Sequence, residues 1–213
     1  MTLQSRSTGT RALCELAPII PVLVVDDVAH AIPLAQALVR GGLPVLEVTL
    51  RTPAALDVIA AMASVEGGHV GAGTLVTPQD VLDAKAAGAT FGVSPGATDT
   101  LLDACEAADL PMLPGAATAS EAMRLLERGY DMLKFFPAEA SGGVPALKGI
   151  GAPLPQISFC PTGGINLANA PSYLGLSNVV CAGGSWVAPN DLVKAGKWDE
   201  IETLARAASQ LPR

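Results

Sequence analysis

The 213-residue chain is half hydrophobic, only 15% charged, and carries a formal charge of -7. That composition sets aside intrinsic disorder, and the negative field sets aside nucleic acid and anionic membrane surfaces as partners. Nothing reads as a linker, so 1–213 is expected to be a single domain. Residues 1–18, weakly helical around 11–16, read as an N-terminal capping segment. The apolar stretch 16–25 follows Arg6 and Arg11 as in a signal peptide, yet Pro18 and Pro21 interrupt it, Asp26-Asp27 ends it, and no small-residue cleavage pattern follows. Residues 149–190 lack Asp, Glu, Lys, Arg and His, but proline, glycine and asparagine break any run long enough to cross a bilayer. A soluble, cytoplasmic protein is the expectation.

Apolar, β-rich runs recur at 19–25, 45–50, 70–73, 91–94, 112–114, 132–136, 157–160 and 179–182, their starts 20 to 26 residues apart. Each interval holds one helix and two loops, the rhythm of a parallel sheet. Eight such repeats imply an α/β fold of the closed (β/α)8, or TIM-barrel, kind. An open doubly wound sheet competes, but no glycine-rich dinucleotide fingerprint follows the first run. Thr52-Pro53 and Thr77-Pro78 read as helix starts with proline at the first helical position, Thr118 with Glu121 as a capping box, and Gly41-Gly42 and Gly67-Gly68 as helix stops.

Of five lysines, Lys134 alone sits inside an apolar run, Met132-Leu133-Lys134-Phe135-Phe136, closed by Pro137. Desolvation beside aromatic rings favours a neutral amine, the form that attacks carbonyls. A stem lying along the core with its head in water, or an ion pair with a buried carboxylate, would account for the same placement. In a barrel, alternate strands share interior layers and active sites gather at the carboxyl ends of strands. Period-two alternation puts Val45, Glu47 and Thr49 on one face of the second run and Leu46, Val48 and Leu50 against the helices; in the sixth it groups Met132, Lys134 and Phe136. Glu47 and Lys134 are therefore expected to meet across the axis.

Arg51, just beyond the second run, could grip a substrate carboxylate with two hydrogen bonds, with Thr74 close by at the end of the third. A solvated loop arginine is the plain alternative. Pro161-Thr162-Gly163-Gly164 and Ala182-Gly183-Gly184-Ser185 form glycine-rich corners after the last two runs, where barrels cradle phosphate with backbone N–H groups; both could equally be turns. Cys14, Cys105, Cys160 and Cys181 show no paired spacing, and the only histidines are His30 and His69. Reduced thiols and no metal are expected.

Leu46-Glu47-Val48-Thr49-Leu50-Arg51, Gly71-Ala72-Gly73-Thr74, Ser94-Pro95-Gly96, Lys134-Phe135-Phe136-Pro137-Ala138-Glu139 and Phe159-Cys160-Pro161-Thr162-Gly163-Gly164 together resemble the 2-keto-3-deoxy-6-phosphogluconate (KDPG) aldolases of the Entner-Doudoroff pathway, over about 19–198. The family includes 4-hydroxy-2-oxoglutarate (KHG) aldolases. The resemblance implies a metal-independent lyase without a cofactor. In it Lys134 forms a Schiff base with the substrate ketone and Glu47 shuttles protons, while KDPG is cleaved reversibly to pyruvate and D-glyceraldehyde 3-phosphate. It implies further that Arg51 and Thr74 hold the pyruvate half, that Pro95 and Phe136 line the pocket, that Gly163, Gly164, Gly184 and Ser185 hold the phosphate, and that Thr162 lies near the substrate hydroxyls. A homotrimer is implied too.

Where the family usually has Gly-Ile-Ser-Thr, this chain has Gly115-Ala116-Ala117-Thr118. A hydroxyl is missing at Ala117, which leaves open 4-hydroxy-2-oxoglutarate and the galactonate-derived epimer as substrates. Two alternatives stand beside the aldolase: a non-covalent phosphosugar isomerase or lyase with Lys134 as an electrostatic stabiliser, and a non-catalytic phosphometabolite-binding barrel.

Overall fold

Strands buried on both faces read as near-continuous apolar runs, and parallel pairing follows from the helices between them. The structure, a computed structural model, describes residues 6–213. Its strands are β1 (Ile19–Leu23), β2 (Val45–Thr49), β3 (His69–Gly73), β4 (Gly92–Val93), β5 (Met112–Leu113), β6 (Gly115–Ala116), β7 (Met132–Phe135), β8 (Ser158–Pro161) and β9 (Ala182–Gly184). Helix α1 (Thr8–Cys14) precedes β1. The others are α2 (Ala31–Arg40), α3 (Ala55–Met62), α4 (Pro78–Ala86), α5 (Asp99–Ala107), α6 (Ala119–Glu127), α7 (Gly143–Gly151), α8 (Ala170–Leu174), α9 (Asn190–Lys194) and α10 (Trp198–Ser209). No helix among the described residues is long and apolar enough to cross a membrane.

All strand pairs are parallel and fall into a curled six-stranded sheet, β5-β4-β3-β2-β1-β9, and a three-stranded sheet, β6-β7-β8. This differs from the single eight-stranded ladder expected. Pro114 has no N–H to give, and it separates β5, in the fifth apolar run, from β6 just beyond that run; its carbonyl accepts from Lys134 N at 2.9 Å. The eighth strand is displaced downstream from 179–182. Val179 makes only an isolated bridge to Phe159, whereas Ala182, Gly183 and Gly184 pair with Ile19, Ile20 and Pro21 of β1. Gly183 and Gly184 are thus strand residues, and the corner begins at Ser185.

Side-chain alternation divides the core in two. Leu46, Val48, Leu133 and Phe135 face the helices, joining Leu34, Leu38 and Ile59 in one large cluster. Ile20, Val45, Phe91, Val93, Leu113, Met132, Cys160 and Cys181 form a second cluster from the opposite strand faces. Each fully buried Leu, Ile or Phe side chain contributes roughly 1.5–3 kcal/mol, so the strands are pinned from both sides. All four cysteines are buried and free.

Two helix starts carry full capping boxes, Thr77 with Asp80 before α4 and Thr118 with Glu121 before α6. Thr52-Pro53 does not start α3: that helix begins at Ala55, and Thr52 Oγ1 instead donates to Val25 O at 2.7 Å, tying two loops together. Gly41 caps α2, but α3 ends at Met62, before Gly67. The N-terminal segment reaches strands far along the chain. Ser7 Oγ accepts from Asp131 N and Met132 N, both at 3.1 Å, and Arg11 donates to Ser158 Oγ and Asp131 O, both at 3.0 Å.

Candidate active site

The inward face of β2 ends in Val45, Glu47 and Thr49, and that of β7 in Met132 and Lys134. Glu47 is 3% and Lys134 5% exposed, and Lys134 Nζ lies 3.1 Å from Glu47 Oε1. The structure therefore brings the acid and the base together within the strands. Burying a lone charge costs several kcal/mol or more, and mutual pairing offsets that cost. The lysine does not snorkel. Its Nζ lies 5.2 Å from the centroid of the Phe136 ring, close enough for a cation–π contact when protonated. Thr49, also inward, is taken up structurally by donating to Leu23 O at 2.9 Å.

Space for this pair comes from β3. A Cβ at Gly73 would collide with Glu47 Oε1, and one at Gly71 with the Phe91 ring, so the Gly71-Ala72-Gly73 sequence leaves room that side chains from neighbouring strands fill. The segment's motif does not by itself reveal this spacing role. Period-two alternation would have found it.

Arg51 and Thr74 stand together at the strand ends, Arg51 Nε donating to Thr74 Oγ1 at 3.4 Å. Thr74 has φ 65°, the left-handed region that a β-branched residue rarely adopts. Such strain persists where the surroundings over-determine the backbone, often at ligand sites. Pro95 belongs to the loop after β4, whose backbone lies so close to Gly115 that a Cβ there would strike the Pro95 carbonyl.

A cavity of about 360 Å³ opens beside these residues. Its lining includes Arg51, Phe136, Thr162, Gly163, Gly164, Gly184 and Ser185, but not Glu47, Lys134, Thr74 or Pro95. Phe136 joins the two groups: it lines the cavity and lies beside the lysine. Val22, Val24, Ile165 and Asn190 also line it, and none was singled out from the sequence.

The loop after β8 is shaped for backbone donation. Gly163 and Gly164 have φ of 102° and 79°, conformations open to glycine at little cost. Their carbonyls are occupied: Gly163 O accepts from Glu139 N at 3.1 Å and Gly164 O from Asn169 Nδ2 at 3.0 Å. The Gly164 and Ser185 N–H groups donate to no protein acceptor among the described residues. Two uncommitted amides at one cavity can receive an anion.

Glu139 supports this loop, since a Cβ at Gly164 would lie only 2.6 Å from Glu139 Cγ. The buried Tyr173 hydroxyl donates to Glu139 Oε1. Burial, and then that bond, push the Tyr173 phenol upward, so it stays a donor. Thr162 sits against Gly183, where a Cβ would collide with its Oγ1, and Cys160 Sγ is 3.9 Å from the same oxygen.

The chain that carries this lysine–carboxylate pair, strand-end arginine and glycine loop is similar to known proteins over most of its length. The KDPG and KHG aldolase family model matches residues 10–204. The chain belongs to that family. It is 56% identical over 192 residues to the 2-dehydro-3-deoxy-phosphogluconate aldolase of Pseudoalteromonas atlantica, covering 90% of this chain and 89% of that one. It is 48% identical over 202 residues to the KHG/KDPG aldolase of Escherichia coli, covering 94% and 95%. Among solved structures, the KDPG aldolase of Legionella pneumophila, with pyruvate captured as a covalent carbinolamine intermediate, superposes with a TM-score of 0.92 at 46% identity, covering 95% of this chain and 99% of that one. The Zymomonas mobilis KDPG aldolase with 3-phosphoglycerate gives 0.90 at 48% identity, covering 95% of each.

Proposed function

We propose that this family member is a Schiff-base aldolase that cleaves KDPG reversibly to pyruvate and D-glyceraldehyde 3-phosphate. The observation that carries this reading is the buried Lys134–Glu47 pair at 3.1 Å. Glu47 takes a proton from the ammonium, and the free amine attacks C2 of the keto acid to give a carbinolamine. Glu47 returns a proton to the departing hydroxyl, water leaves, and an iminium remains on Nζ.

The iminium is the electron sink. When the Glu47 carboxylate, directly or through one water, removes the C4 hydroxyl proton, the C3–C4 electrons move to the nitrogen. Glyceraldehyde 3-phosphate departs and a neutral enamine is left. Protonation at C3 and hydrolysis of the resulting iminium release pyruvate and restore the amine. Arg51 binds the pyruvate carboxylate beside Thr74, Pro95 and Phe136 bound the pocket, Thr162 faces the hydroxyls, and Gly163, Gly164, Gly184 and Ser185 hold the phosphate through neutral donors.

The same reading takes 1–213 as one domain and the two sheets as parts of one (β/α)8 barrel, with residues 6–18 of the capping segment covering its amino-terminal end; residues 1–5 of that segment lie outside the described residues. Its supports are the continuity of β5 and β6 through Pro114 and the bridges Phe159–Val179 and Thr162–Gly183. The enzyme works as a cytoplasmic homotrimer, an assembly that light scattering would test. The activity itself is tested by incubation with pyruvate and borohydride. A reduced adduct on the Lys134 peptide is expected; saturating pyruvate with no adduct, in a protein that still turns over KDPG, would replace the covalent route by a non-covalent one.

A further inference from the structure

Four polar side chains line the cavity: Arg51, Thr162, Ser185 and Asn190. The first three have places in the proposed reaction. Asn190 follows Ser185 by five residues, at the start of α9, and is exposed to the cavity. Its carboxamide makes no hydrogen bond to protein among the described residues. Asn166 and Asn169, by contrast, commit their side chains to loop backbone.

Charge sharpens the point. Among the described residues Arg51 is the only ionisable one in the cavity lining, and it is engaged at the Thr74 side. A phosphate dianion seated at Gly163, Gly164 and Ser185 therefore meets neutral donors alone. Each such donor then matters, because a hydrogen bond to a charged group is worth about twice a neutral one.

We propose that Asn190 contacts the substrate, its side-chain N–H2 donating to the phosphate held by the glycine loop, and thereby sets preference for phosphorylated over dicarboxylate keto acids. The inference rests on the aldolase reading and deepens it. An ionised aspartate has nearly the shape of asparagine but can only accept, so Asn190→Asp turns an attraction for phosphate into a repulsion. 4-Hydroxy-2-oxoglutarate ends in a carboxylate at C5 and stops short of the phosphate site. It is an internal reference: any fraction of a variant that fails to fold lowers kcat/KM for both substrates alike and cancels in their ratio.

The experiment measures pyruvate release from KDPG and from 4-hydroxy-2-oxoglutarate by the parent, Asn190→Ala and Asn190→Asp. The ratio of kcat/KM values, KDPG over 4-hydroxy-2-oxoglutarate, should fall by about tenfold in Asn190→Ala and further in Asn190→Asp. Inorganic phosphate should also inhibit Asn190→Asp less well than the parent. With an active parent, a ratio unchanged in both variants overturns the role of Asn190 and leaves the aldolase reading standing. A parent that releases no pyruvate from KDPG removes that reading, and the inference with it.

Discussion

Lys134 and Glu47 are each other's sole side-chain hydrogen-bond partner among the described residues, at 3.1 Å and almost sealed from water. The pair is thus a structural liability as well as the proposed reactive couple. Removing one member leaves the other charge uncompensated in the interior.

Lys134→Met should therefore destabilise the protein by about 3–5 kcal/mol, since it strands a buried carboxylate. Adding Glu47→Gln should recover much of that loss. Urea unfolding of the parent, the single variant and the double variant measures both quantities. A double variant no more stable than Lys134→Met would mean that the carboxylate is not held as a charge in the folded state.

Glu47→Gln alone keeps the shape and removes the proposed proton carrier. Its kcat on KDPG should fall by about 10²–10⁴, while slow trapping of pyruvate on Lys134 persists. Lys134→Arg should be inactive, because a guanidinium stays protonated and cannot attack a carbonyl. Turnover by Glu47→Gln equal to the parent would assign the proton traffic to another group.

Gly73→Ala probes the room left by β3. Its backbone is not in the left-handed region, so alanine is tolerated locally, yet the new methyl collides with Glu47 Oε1. The carboxylate must shift from the position in which it pairs with Lys134. A displacement near 1 Å at a catalytic group costs about 10²-fold in rate, and a loss of that order in kcat, with the fold retained by circular dichroism, is the expected result.

Glu121 gives a pH dependence with a definite sign. The Ala117 N–H bond, against opposition from burial and with help from the Thr118 hydroxyl and N–H, holds its carboxyl below the ordinary 4.5. A depressed folded value means that the stabilisation is present in full above that ordinary range and disappears as pH falls through the folded value. The stability advantage of the parent over Glu121→Gln should accordingly shrink on acidification below about pH 4.5; an advantage that grew there would reverse the assignment.

Much of the strand pattern was legible because a period of two needs no tertiary information. Alternation alone puts Val45 and Met132 on one face with Glu47 and Lys134, and Leu46 and Leu133 on the other, as the two core clusters have them. The breaks were harder to read. Whether Pro114 interrupts a ladder depends on which neighbour its missing N–H would have faced, and the shift of β9 onto Gly183 and Gly184 depends on β1 offering Ile20 and Pro21 as partners. Thr52-Pro53 has the form of a helix start, yet the Thr52 hydroxyl finds Val25 O on another loop. Val22, Val24 and Asn190 carry no local signal for a cavity; only the folded arrangement of β1, β8 and β9 gathers them.

The bonds of Ser7 and Arg11 to Asp131, Met132 and Ser158 bear on how the chain is made. Their partners lie 120 to 147 residues further along, so a nascent chain presents this segment to the cell long before the strand carrying Lys134 exists. Local helices can form during synthesis, but these distant pairings must wait. Until they do, the segment that leaves the ribosome early has no strand to clasp, and the beginning of β7 stays unsecured.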